Sequence, residues 1–186
     1  VELPEGKMKS REGNVVDIDE LIDEVMEIAS CELKERYPNL SKAELEHRTK
    51  ALAMASIRFF FLRFDPPRNF VYNPKESLSF EGETGPYVLY AYARICSIFK
   101  KLEENASLKD ADLSLLTTEH DKKLIMALGS FRQAVADSAI HRKPSLLTRY
   151  LSELAASFTE YYHSNPILKE EKALRDARLA LLDSTR

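Results

Sequence analysis

"PYVLYAYARICSIFKKLEEN", Pro86 to Asn105, is the stretch whose reading decides the fold. Pro86 suits the opening position of a helix, where its missing N–H costs nothing. Behind it, apolar residues recur every three or four positions. Placed at 100° per residue, Val88, Ala91, Tyr92, Ile95, Ile98, Phe99 and Leu102 share one side and should be core. Tyr87, Tyr90, Arg94, Ser97 and Lys101 fall within an arc of roughly 80° on a separate side. Two tyrosines and two cations on one exposed stripe can stack unpaired bases and hold phosphates. The same stripe can equally be a solvated face whose tyrosines rest on neighbouring loops. Periodicity leaves both readings open.

Similar punctuation runs outward in both directions. Asp17 begins "DIDELIDEVMEIASCELKERY", with capping-box spacing to Glu20 and acids in the first turns, where the helix dipole favours them. Pro38 ends that helix, and Ser41 with Glu44 starts a second one running through Phe61. Pro66 and Pro67 stop it. Val71 to Gly85 lacks helical period and reads as an ordered loop. After a polar linker from about Ala106 to Thr117, Thr118 caps a helix through Ile140, weakened or bent at Gly129. Pro144 opens another, carrying Leu147, Leu151, Leu154, Phe158 and Tyr161 at threes and fours, and Pro166 ends it. The last helix covers about Lys169 to Leu182. Six or seven helices, short loops and no convincing strand give an all-α helical bundle.

Composition narrows the function classes. The chain has 186 residues, 44% of them hydrophobic, with five glycines and a net charge of -3. Bulk positive charge therefore cannot drive nucleic-acid binding, and any such binding must use a local face. No apolar run approaches the ~20 residues of a membrane span, and no signal peptide opens the chain. Cys31 and Cys96 are too few and too far apart for a disulfide framework, and are expected as buried, reduced thiols. His47, His120, His141 and His163 never pair at metal spacing, so no metal site is expected.

The opening loop, "GKMKSREGNVV" from Gly6 to Val16, crowds Lys7, Lys9 and Arg11 between glycines. Cations on a bendable backbone can approach phosphate closely, though a short basic loop can also be plain solvated surface.

Two stretches carry a family resemblance. "LSFEGETGPYVLYAYAR", Leu78 to Arg94, closely resembles a characteristic segment of arginyl-tRNA synthetases, and "GKMKSREGNVV" resembles that family's form of the class I KMSKS loop. "RFFFLRFDPPRNFVYN", "YLSELAASFTEYYHSNPIL" and "LRDARLALL" are similar to further segments in the same order, so the resemblance spans nearly the whole chain. It implies residues 1–16 as a KMSKS-like remnant of a catalytic domain, 17–70 as connecting helices, and 71–186 as an α-helical anticodon-binding domain.

Lys7 and Met8 match the first two KMSKS positions; Lys9 stands at the usual serine, Ser10 at the second lysine and Arg11 at the final serine. The resemblance implies that Lys7, Met8, Lys9, Ser10 and Arg11 face ATP, with Lys7 and Lys9 catalytic and Mg²⁺ assisting. It implies anticodon contacts from Tyr90 and Arg94, the stripe already found by angle, with Tyr87, and from the loop residues Ser79, Phe80, Glu81, Gly82 and Thr84. Tyr92, which by angle faces the core, is not carried over. Nothing here reads H-I-G-H, and no Rossmann pattern is present. The expectation is the C-terminal, tRNA-binding part of a cytoplasmic, monomeric arginine–tRNA ligase. It would be inactive without its N-terminal catalytic domain, and it would have arginine tRNA as partner and neither DNA nor membrane. The competing reading is a catalytically inert protein–protein interaction module derived from a synthetase.

Overall fold

A computed structural model of the chain describes residues 2–3, 6–7, 17–102 and 108–186. Met8, Lys9, Ser10 and Arg11 lie outside the described residues, and Lys7 is described through its backbone alone. Among the described residues there are eight helices: α1 (Ile18–Arg36), α2 (Lys42–Leu62), α3 (Pro74–Ser77), α4 (Gly85–Lys100), α5 (Glu119–Gly129), α6 (Phe131–His141), α7 (Pro144–Ser164) and α8 (Lys172–Thr185). A 3₁₀ turn covers Leu113–Leu115. Two short strands, β1 (Glu2–Leu3) and β2 (Gly6–Lys7), pair antiparallel with Glu2 opposite Lys7. A two-residue ladder is too short to leave an alternating pattern, so no strand was expected there. The rest is the all-α architecture that the periodicity predicts.

Side-chain caps start the helices. Asp17 accepts from the Asp19 N–H, and Ser41 Oγ from the Glu44 N–H at 3.2 Å. Thr118 and Asp121 make a full reciprocal box. Thr118 Oγ1 accepts from the Asp121 N–H at 3.1 Å, and Asp121 Oδ2 from the Thr118 N–H at 2.8 Å. Two elements differ from expectation. The loop before α4 contains α3, because Asn73 Oδ1 accepts from the N–H groups of Lys75 and Glu76 ahead of Pro74's turn. The expected bend at Gly129 is a break into α5 and α6, where Ser130 Oγ donates to the Ala127 carbonyl at 2.9 Å.

Two apolar clusters hold the fold together. The first joins α1 and α2 through Leu21, Val25, Ala29, Leu52 and Phe60, and extends through Tyr72 and Leu78 to Phe80. The second joins α4, α5, α7 and α8 through Ile95, Leu124, Phe158, Tyr161, Leu179 and Leu182. Polar joints bind the two. Asp65, just past α2, accepts from Ser145 Oγ at 2.6 Å and from Lys143 Nζ at 2.9 Å at the start of α7. These bonds, Ser145 first, hold the Asp65 carboxyl below its ordinary pKa. At the other joint α4 meets α2 so closely that a Cβ on Gly85 would stand 2.3 Å from the Ala55 carbonyl oxygen.

Four side chains fall elsewhere than the sequence leads one to expect. Cys31 is exposed and Cys96 half-buried. Cys31 is two residues from both Ala29 and Leu33, which puts it on the far side of α1 from the core. Tyr92 is 50% exposed. It sits roughly 70° from the centre of α4's core side, at the rim of an apolar hollow shared with Leu89 and Arg186. Tyr87, expected on the open stripe, is half-buried against the second cluster, with its hydroxyl donating to Thr159 Oγ1 at 3.2 Å. It lies only about 20° from Ile98 around the helix, so α7 covers it.

Candidate nucleic-acid interface

The loop in front of α4 is built by its own hydrogen bonds. Thr84 Oγ1 donates to the Ser79 carbonyl at 2.6 Å and accepts from the Tyr87 N–H at 3.2 Å, which caps α4. Ser79 Oγ accepts from the Glu81 N–H at 3.1 Å. Gly82 turns the chain with φ +77, a conformation open to glycine and strained for other residues. Arg63 braces the loop from α2's end, donating to the Glu83 carbonyl at 3.2 Å and to Glu76 Oε1 at 2.8 Å. Phe80 packs on the first cluster with the Arg36 guanidinium 4.6 Å over its ring. Of the loop residues named from the sequence, Ser79, Phe80 and Thr84 are therefore engaged in structure, and Glu81 and Gly82 are exposed.

The cap sets the direction of α4, and α4 carries the stripe. Tyr90, Arg94, Ser97 and Lys101 all line one wall of a groove of about 640 Å³. Tyr162 and His163, from the last turn of α7, form the opposite wall, and Asn165 through Lys169 close one end. Tyr37, past the end of α1, reaches in as well. Arg94 lies between two rings, its guanidinium carbon 4.8 Å from the Tyr90 centroid and 4.6 Å from the Tyr162 centroid. It also donates to the Tyr90 hydroxyl. Among the described residues, three cations, Arg94, Lys101 and Lys169, line the groove, and no carboxylate does. On a chain of net charge -3, this is the local positive face that nucleic-acid binding requires.

The groove can therefore supply aromatic and guanidinium planes for stacking, with ammonium groups beside them for phosphate. Tyr87 is absent from its lining, as are Ser79, Phe80, Glu81, Gly82 and Thr84. Tyr37, Tyr162, His163 and Lys169 were missed by sequence reasoning. The available signal for Tyr162 and His163 was their position directly after the core residue Tyr161, where α7 turns from core to surface. Tyr37 and Lys169 stand outside the helices and left no periodic signal.

Residues 88–186 match the family described as the DALR anticodon binding domain. The chain is 41% identical to the arginine–tRNA ligase of Treponema denticola, covering 100% of itself and 32% of that protein. It is 36% identical to the arginine–tRNA ligase of Pyrococcus furiosus, covering 31% of that one. It thus spans about a third of the length of the curated relatives it matches, and that third is their C-terminal one. Its structure superimposes on Thermus thermophilus arginyl-tRNA synthetase with a TM-score of 0.87 and 34% identity, over 98% of this chain and 31% of that one. The arginyl-tRNA synthetase of Plasmodium falciparum, at 24% identity and a TM-score of 0.78, shares the fold. These likenesses do not favour the protein–protein module. With both walls of the groove and more than half its length inside the matched span, this chain belongs to the DALR anticodon-binding domain family.

Proposed function

We propose that the chain is the tRNA-recognition part of an arginine–tRNA ligase and that the groove between α4 and α7 receives the anticodon of arginine tRNA. The observation that carries this is the Tyr90–Arg94–Tyr162 arrangement, in a groove lined by three cations, within the span matched to an anticodon-binding family. Unstacked anticodon bases lie on the tyrosine and guanidinium planes, and Lys101 and Lys169 neutralise the backbone between them. Glu81 and Gly82, exposed beside the cap of α4, contribute loop contacts. Ser79, Phe80 and Thr84 contribute by fixing that loop, and Tyr87 by holding α4 on α7. Residues 71–186 act as the anticodon-binding unit, carried on 17–70.

The longer enzyme activates arginine with ATP and Mg²⁺ in a catalytic domain, in the cytoplasm and as a monomer. Lys7 and Lys9 serve there as the loop cations near the ATP phosphates, in company with Met8, Ser10 and Arg11. The test is a titration of an arginine tRNA transcript, followed by fluorescence anisotropy at several salt concentrations. Tyr90→Ala, Arg94→Ala and Tyr162→Ala should each lose ~1–3 kcal/mol, and Lys101→Ala should also flatten the salt dependence by about one phosphate contact. Equal binding by the parent and all three ring-and-guanidinium variants would reject the assignment.

A further inference from the structure

A second pocket, of about 270 Å³, opens where the end of α2, the turn after it, Glu83 and the first turns of α7 meet. It shares no lining residue with the groove. Three arginines, Arg63, Arg68 and Arg149, surround it, against one lining carboxylate, Glu83. Ser145, Thr148 and Ser152 form its α7 wall, spaced by three and four so that they share one side of the helix.

The partners of these groups show what capacity is left. Arg63 spends its Nη atoms on Glu83 and Glu76 and lies 3.9 Å over the Phe60 ring, yet its Nε has no acceptor. Arg68 and Arg149 are exposed; Arg68 lies 5.8 Å over the Phe64 ring, and Arg149 is near enough for its charge to act on Asp65, which leaves their outward N–H groups open to a ligand. Asp65, beside the pocket, is already held by Ser145 and Lys143. Thr148 Oγ1 donates to the Ser145 carbonyl. Ser152, 8% exposed, has a hydroxyl with no hydrogen-bond partner among the described residues. The unspent groups are thus guanidinium donors and one buried hydroxyl, around a hollow where cations outnumber carboxylates.

We propose that this pocket binds a phosphate group. Planar guanidinium forks match a phosphate's oxygens bidentately, and Arg63 beneath them adds charge at no further cost in ordering, because its own bonds already fix it. The volume falls just under the ~300–1,000 Å³ usual for a whole small-molecule ligand, so a single charged group is the better fit. An apolar ligand would meet only Phe59 and Phe64, and a cation would be repelled. The phosphate can be free in solution or part of an RNA backbone, and its contacts here are the same in either case. The proposal does not depend on what fills the groove.

The experiment follows the arginine Nε resonances of the 186-residue chain by NMR, at ionic strength held constant with chloride. Inorganic phosphate should shift Arg63 and Arg149 saturably. Arg149→Gln should weaken that binding about tenfold, and Ser152→Ala about threefold, with the thermal midpoint of Arg149→Gln unchanged because Arg149 is exposed. A short single-stranded RNA that moves the same resonances, while its uncharged methylphosphonate counterpart does not, identifies RNA as the source. Phosphate shifts that RNA cannot compete away identify free phosphate. Arg94→Ala, which removes a groove contact, should leave the pocket's response intact, so failure at one site is separable from failure at the other. The proposal is overturned if neither phosphate nor RNA gives a saturable shift, or if Arg149→Gln responds like the parent.

Discussion

Replacing Gly85 with alanine tests how the two apolar clusters are joined. Alanine is the better helix former, and on propensity alone the change should stabilise by ~0.5–1 kcal/mol. Sterics oppose it. The new Cβ would stand 2.3 Å from the Ala55 carbonyl oxygen and 2.6 Å from its carbon, with Phe59 Cβ at 3.1 Å. The first two are backbone atoms of α2, so no rotamer change relieves them. Reaching the 3.4 Å at which ordinary contact begins requires α4 to retreat by about 1.1 Å. Overfilling a close-packed joint costs ~1–3 kcal/mol, which exceeds the propensity gain, so the variant should be less stable by ~1–2 kcal/mol. Gly129 is the internal control. It ends α5, and a Cβ there meets nothing within 4 Å. Gly129→Ala should therefore stabilise by ~0.4–1 kcal/mol. Urea unfolding followed by circular dichroism, with m-values compared, measures both. A Gly85→Ala chain as stable as the parent, or two variants moving in the same direction, would refute the reasoning.

Thr84→Ala removes the cap of α4 and leaves the Ser79 carbonyl without its donor; it should cost ~1–2 kcal/mol, and Thr84→Ser should restore most of it in the same urea assay. Because the Asp65 carboxyl is held low by Ser145 and then Lys143, its stabilisation is present above the ordinary carboxylate pKa. That stabilisation is lost as pH falls through the depressed value, so Asp65→Asn should flatten the loss of stability below about pH 4. Tyr161 is pushed the other way, by burial first and then by Asp121's charge. The stabilisation it contributes is present below the ordinary phenol pKa of about 10 and lost as pH rises beyond it. Phenolate absorbance, read as the difference between the parent and Tyr161→Phe, should show Tyr161 ionising only with unfolding; a Tyr161 signal that appears while the chain is still folded would contradict this.

Helix boundaries were legible because local chemistry writes them. Asp17, Ser41 and Thr118 all cap helices, and Pro86 and Pro144 sit in first turns. The Tyr90–Arg94–Ser97–Lys101 wall of the groove was legible too, since a single helix fixes its own angles. The opposite wall was not, because Tyr162 and Lys169 come to face α4 only through tertiary folding. Tyr87 and Tyr92 show where angle alone misleads. Each sits near the edge of the core side, and the neighbouring α7 or the rim beside α8 decides which is covered. The three-arginine pocket draws on residues as far apart as Phe59 and Ser152, a distance at which no periodicity speaks.

Arg94 has a consequence for selectivity. The cation already occupies the space between Tyr90 and Tyr162, so the rings come with a resident that any flat visitor must evict or stack beyond. A bare aromatic compound offers the displaced guanidinium nothing in return and binds with its affinity reduced by the price of eviction. A nucleotide brings its own anion to receive it. The groove thereby rejects hydrophobic passers-by through self-occupancy, without a single clash built against them.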